Sequence, residues 1–159
     1  MTIAPLKPEE IDDLAAMYVK FINYLRGDCE EVYFSYAIPL EEEMRKYFEK
    51  KYNDPLHAVF IAKTENGSPA GFIAGDMRPS FFPFADTGLN GYISALFVEE
   101  KYRRTGLGNI LENHIITQFF KPHHAKYIEL HCLTKNTRAK KLWQSLGYNT
   151  FREQLRKAI

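Results

Sequence analysis

Apolar positions divide the chain into short and long segments of different period. Thr2 to Leu6 reads as a short strand. Pro8-Glu9-Glu10 then opens a helix in which Ile11, Leu14, Ala15, Tyr18, Phe21, Ile22 and Leu25 recur at helical spacing, as far as Gly27. Leu40 to Tyr52 sets Met44, Tyr47 and Phe48 against a charged side, which predicts a second helix ended by Asn53-Asp54-Pro55. His57 to Thr64 and Ala70 to Met77 are strands joined by Glu65-Asn66-Gly67-Ser68, a turn with Asn-Gly at its centre, so they pair antiparallel. Tyr92 to Val98 is apolar on both faces and belongs inside a sheet covered on both sides.

The connection RPSFFPFADTGLN has too many Pro and turn residues for regular structure. From Gly106 to Phe120, Leu107, Ile110, Leu111, Ile115 and Phe119 trace one helical stripe, with Pro122 just beyond its end. Tyr127 to Thr134 reads as a strand, Arg138 to Leu146 as a helix closed by Gly147, and Tyr148 to Leu155 as a last strand. The order is that of an α/β chain with an antiparallel front half and a strand-helix-strand unit behind it.

Composition narrows the function without naming it. The 159 residues fit a single domain over positions 1–159, and 45% hydrophobic with 26% charged residues is an ordinary globular balance. Ten Tyr and twelve Phe suggest a ring-lined pocket or interface beside a core. A net charge of +1 argues against a nucleic-acid partner. No apolar run approaches the roughly 20 residues of a membrane span, and no signal peptide is visible, so a cytoplasmic protein is expected. Two cysteines without CxxC spacing suggest neither a disulfide framework nor a metal site, and His123-His124 has no third ligand.

The densest chemistry lies in RRTGLG, Arg103 to Gly108, at the mouth of the predicted third helix. A helix start leaves about four amides without internal partners and carries the positive end of the macrodipole. Gly106 and Gly108 would let an anion approach those amides, and Arg103 and Arg104 add forked donors suited to phosphate. A P-loop would need Gly-Lys followed by Ser or Thr, and a dinucleotide fingerprint would need a glycine where Leu111 stands.

The pattern Arg103-x-x-Gly106-x-Gly108 between a strand and a helix resembles the acetyl-coenzyme A motif of the GNAT superfamily of N-acetyltransferases. Asn136-x-x-Ala139-x-x-x-Trp143-x-x-x-Gly147-Tyr148 is similar to that family's later segment of Asn, Ala, an aromatic and Gly-Phe. Together the two motifs cover roughly residues 91 to 150. The resemblance implies a mixed, mostly antiparallel central sheet flanked by about four helices. It implies acetyl-CoA as co-substrate, with no metal, and direct transfer of an acetyl group to an amine of a small molecule or peptide. Thr105, Gly106, Gly108 and Asn109 would hold the pyrophosphate, with Arg103 and Arg104 beside it. The backbone of Leu96, Phe97 and Val98 would meet the pantetheine arm and the acetyl carbonyl, and Asn136 and Lys140 would reach the coenzyme from beyond the next strand.

Two residues depart from the family. Trp143 stands where many relatives carry a Tyr acid, and Ser94 where some carry a Glu base. A thiol of pKa about 8.5 can leave without an acid, but an unperturbed lysine-type amine costs about 4.6 kcal/mol to deprotonate at pH 7, against about 1 kcal/mol for an α-amine. Candidates for the proton-handling groups are Tyr92, Ser94 and His131. On the acceptor side, Asp28 and Glu31 would attract a cationic amine, and Tyr33, Phe34, Phe82 and Phe84 would wall it in. The departures leave open a coenzyme-binding module without catalysis, acting as a sensor or partner protein. The aromatics leave open a homodimer interface.

Overall fold

β1 (Thr2–Pro5) pairs antiparallel with β2 (His57–Lys63), although two helices separate them in sequence, α1 (Ile11–Gly27) and α2 (Leu40–Lys51). The computed structural model describes residues 1–82 and 84–159; residue 83, in the Pro-rich connection, lies outside the described residues. β2 pairs antiparallel with β3 (Pro69–Pro79), and β3 with β4 (Leu89–Val98). The chain then crosses over through α3 (Leu107–Ile115) to β5 (Ile128–Leu130), which is parallel to β4, and ends its regular structure with α4 (Thr137–Ser145). The sheet order is β1-β2-β3-β4-β5. The expected mixed, mostly antiparallel sheet with four α-helices is therefore present.

Two apolar layers sandwich this sheet. Leu14, Met17 and Phe48 of α1 and α2 meet Ile61, Phe72, Ala74, Ala95 and Phe97 on one face. Leu107, Leu111 and Ile115 of α3, with Trp143 of α4, meet Phe60, Ile73, Met77 and Ile93 on the other. The π-helical turn Ile116–Phe120 prolongs α3 and drives both Phe119 and Phe120 into the second layer. The Thr117 hydroxyl donates to the carbonyls of Asn113 at 2.9 Å and His114 at 3.1 Å where the winding changes. Gly91 and Gly75 make room for Phe120: a Cβ at either would come within 2.7 Å of its ring.

β4 lies between β3 and β5, as its doubly apolar sequence predicts, but it does not keep one register. Gly75 pairs with Ile93 and Ala74 with Ala95, so Ser94 is an extra residue, a β-bulge. Consequently Ile93 faces the α3 layer while Ala95 and Phe97 face the α1/α2 layer.

Two strand expectations are corrected. β5 keeps three of the eight residues read as strand from Tyr127 to Thr134. The last strand, Tyr148 to Leu155, does not form: residues 149–159 are exposed and belong to no helix or strand. Taken alternately, 149, 151, 153 and 155 would offer only Phe151 and Leu155 to a core, and that is too little apolar area to hold a strand on so short an edge. No described helix is long and apolar enough to cross a membrane.

Candidate functional site

Gly106 caps α3 with φ +85°, and Arg104 just before it has φ 65°. These left-handed residues turn the chain sharply into the helix. The first α3 bond runs from the Ile110 N–H to the Gly106 carbonyl at 3.1 Å, so the amides of Leu107, Gly108 and Asn109 lack intrahelical partners. Space is open where a Gly106 Cβ would stand. Gly108 has a different reason to be glycine, because its Cβ would come within 3.3 Å of Leu142 of α4. Thr105 Oγ1 donates to the Tyr102 carbonyl at 2.8 Å. Arg103 turns back to the sheet: Nε donates to the Val98 carbonyl at 3.1 Å, and the guanidinium lies 5.6 Å from the Tyr24 ring. Arg104 and Asn109 are exposed at the turn.

Beside this turn the sheet opens. β5 accompanies β4 only from Gly91 to Ile93, so β4 from Ser94 to Val98 has a strand neighbour on one side only. The Glu99 N–H donates to the Ala70 carbonyl at 2.9 Å. By the alternation of an antiparallel ladder, Phe97 then directs its backbone groups at β3, while Leu96 and Val98 direct theirs at the opening. The expected contribution of the Phe97 backbone is thereby corrected; its ring packs in the α1/α2 layer, 6.1 Å from Phe72.

At the point where the two strands part, Tyr92 Oη lies 2.7 Å from His131 Nδ1. The crossover through α3 brings these residues together from positions 39 apart in sequence. The partners of the dyad are themselves held. Arg78 stands 4.0 Å over the Tyr92 ring and donates to Asp76 Oδ2 at 2.8 Å, and Asp76 Oδ1 lies 2.8 Å from His57 Nδ1. Burial raises the Tyr92 phenol above its ordinary range, with Arg78 opposing, so it remains a proton donor near neutral pH. Burial alone would raise the Asp76 carboxyl too, but the His57 hydrogen bond and the charges of His57 and Arg78 outweigh it and hold the group below its ordinary value. Asp76 is thus ionised, and His57 Nδ1 is the donor to it.

A carboxyl with a depressed folded pKa contributes stability above its unfolded value, about 3.9, and loses that contribution as pH falls through the folded value. Asp76→Asn should therefore lower stability at pH 7 by about 1–3 kcal/mol. The gap to the unsubstituted chain should close below about pH 4 in thermal melts. A gap independent of pH would contradict the charge assignment.

Asn136 caps α4: Oδ1 accepts from the Ala139 N–H at 3.2 Å and from the Tyr24 hydroxyl at 3.2 Å, and the amide nitrogen takes no part in these bonds. Lys140 is exposed on the same helix. Trp143 is buried at 9% exposure, edge-on to Tyr148 at 5.3 Å, so the position of the missing Tyr acid is used for packing. Ser94 occupies the bulge.

Among the residues expected on the acceptor side, Glu31 opens the 3-10 turn Val32–Phe34 and accepts from the Tyr33 N–H at 3.1 Å. Phe34 is half-buried; Phe82 and Phe84 are exposed and meet each other edge-on at 5.6 Å. Asp28 stands exposed at the end of α1, apart from the Glu31 cluster's hydrogen bonds. The Asp76 network and the arginines of the C-terminal segment, Arg152 and Arg156, went unmarked in the sequence. The alternation of Asp76 and Arg78 on one strand face was the available signal for the former.

Comparison with known proteins bears on the fold and the family. N-alpha-acetyltransferase daf-31 of Caenorhabditis elegans is 27% identical over 111 residues, 69% of this chain and 57% of that protein, so the chain spans little more than half the relative's length. A mutant of a Bacillus halodurans protein superposes with a TM-score of 0.80 at 20% identity, over 100% of this chain and 99% of the other. A Clostridium acetobutylicum predicted acetyltransferase, crystallised with acetyl-CoA, gives 0.77 at 17% identity over 99% and 95% of the two chains. These likenesses are of fold. The model of the acetyltransferase (GNAT) family matches residues 21–148, four-fifths of the sequence and both motifs, and the chain belongs to that family.

Proposed function

We propose that this chain is a single-domain N-acetyltransferase that moves the acetyl group of acetyl-CoA directly to an amine of a small molecule or peptide. The free amides of Leu107, Gly108 and Asn109 and the open left-handed turn at Gly106 suit the pyrophosphate, with Arg104 supplying charge. The outward N–H groups of Leu96 and Val98 suit the pantetheine amides and the developing oxyanion. Asn136 and Lys140 approach from α4.

The observation that carries the reading is the Tyr92–His131 contact of 2.7 Å at the parting of β4 and β5. An amine must shed a proton before or as it attacks the thioester carbonyl. Tyr92 Oη takes that proton while its own passes to His131 Nδ1; the N–C bond forms, the C–S bond breaks, and the thiolate leaves unaided. Ser94, in the bulge, faces no acid-base demand in this scheme. The dyad thus replaces the family's Glu base and leaves the Tyr acid unnecessary.

Acetyl-CoA-dependent thiol release with a panel of amines tests this, with the acetylated product identified by its mass. Binding of acetyl-CoA without turnover across small amines and peptides would instead support the non-catalytic coenzyme-binding module.

A further inference from the structure

Residues 149–159 follow α4 as an exposed segment, and none of its backbone groups bonds to another main-chain group among the described residues. Side chains hold it in place. Arg156 donates to both oxygens of Glu31, at 2.8 and 3.4 Å, and stands 4.6 Å over the Tyr33 ring. Arg152 donates to His131 Nε2 at 3.1 Å and lies 5.0 Å from the Phe81 ring, which also meets Phe151 at 6.1 Å. These long-range contacts all reach the acceptor side: the turn after α1, the loop before β4 and the end of β5.

We propose that this tail is a displaceable internal occupant of the acceptor side. Arg156 fills a cation subsite formed by Glu31 and Tyr33, and an acceptor amine that carries a second positive charge enters by taking its place. The term acceptor rests on the acetyl-transfer reading; the occupancy itself does not.

The subsite is built and its occupant is loosely attached. The Glu31 side chain is 17% exposed and is fixed by the Tyr33 N–H, whereas the Arg156 side chain is 50% exposed and enters from solvent. A carboxylate fork beside an aromatic face is a binding arrangement for guanidinium and ammonium groups in general, not for this arginine alone. Ion pairs so exposed are weak and screened by salt, and no ladder of backbone bonds reinforces them.

Seating of the tail also bears on the dyad. A guanidinium can only donate, so its contact with His131 Nε2 requires a lone pair there. The neutral imidazole then carries its hydrogen on Nδ1 and donates to Tyr92 Oη. A relay that delivers a proton to Nδ1 needs the other tautomer. With the tail seated the relay is off, and displacement by a cationic acceptor turns it on.

The test is an amide NMR titration of the full-length 15N-labelled chain at fixed ionic strength, with hexamethylenediamine and, as the singly charged control, hexylamine. In the free chain the heteronuclear NOE over residues 150–156 should be that of an ordered segment. Hexamethylenediamine should reduce it to mobile-chain values at about tenfold lower concentration than hexylamine, with shifts at Tyr33 and His131. Glu31→Gln, which retains an acceptor for the Tyr33 N–H, should release the tail without any amine and remove the difference between the two ligands. A tail already mobile in the unsubstituted chain, no displacement by the diamine, or equal displacement by both amines would overturn the proposal. Because the titration contains no acetyl-CoA, tail displacement by the diamine in a chain that proves unable to transfer acetyl would overturn the enzymatic reading and leave the cation subsite standing.

Discussion

His131→Gln is expected to lower kcat by about 10²- to 10⁴-fold at neutral pH, the usual contribution of a positioned general base, while the KM for acetyl-CoA stays the same. The split follows from the geometry: among the described residues His131 bonds to Tyr92 and Arg152 and not to the RRTGLG turn, so in the proposed relay it serves the proton and not the coenzyme. Tyr92→Phe removes the hydroxyl through which the proton passes and should bring a loss of similar size. The double variant should be little worse than either single one, because both interrupt one relay. The pH dependence separates a base from a merely structural pair. As pH rises, more of the acceptor amine is already neutral in solution, so the variants should approach the unsubstituted rate. Steady-state kinetics from neutral to alkaline pH with one fixed amine would show this. A loss of less than about threefold, or a deficit that pH does not alter, would remove the dyad from the mechanism.

The dyad also shows what sequence reading reaches and where it stops. Tyr92 and His131 were each visible as candidates, Tyr92 on the strand that became β4 and His131 on a predicted strand whose observed part, β5, stops one residue before it. Nothing local paired them, because their contact is made by the parallel crossover that lays β5 against β4. The bulge at Ser94 was hidden for a related reason: an extra residue in one strand shows only against its partner's register. Gly106 was legible as a bare approach to the amides at the start of α3, but its left-handed φ was not, because glycine signals that conformation at a helix end and not at its start. Gly108 was half legible, because its approach to Leu142 depends on where α4 docks. In the C-terminal segment, Arg152 fell within the expected last strand and Arg156 just beyond it, and neither carried a signal of its own. Their partners Glu31 and His131 lie 125 and 21 residues away, and a side chain held by such distant groups leaves no periodic trace.

Gly106→Glu is expected to weaken acetyl-CoA binding by at least about 100-fold. The carboxylate would project into the open space at the mouth of α3 and displace the pyrophosphate from at least two charge-assisted amide bonds, at about 1.5–3 kcal/mol each. Gly106→Ala is the necessary control. With φ at +85° any L side chain is strained, which costs about 1–2 kcal/mol of fold stability, yet an added methyl meets no protein atom within 4 Å. Alanine should therefore lower the melting temperature with little loss of affinity. Glutamate shares the backbone strain, but a negative charge at a helix N-terminus returns about 0.3–1 kcal/mol, so the Glu variant should be no less stable than the Ala variant. Calorimetric titration with acetyl-CoA and thermal melts of the two proteins separate strain from ligand repulsion. Equal affinity in both would mean that the pyrophosphate is bound elsewhere, because the two variants share the backbone defect and differ in what they place before the amides of α3.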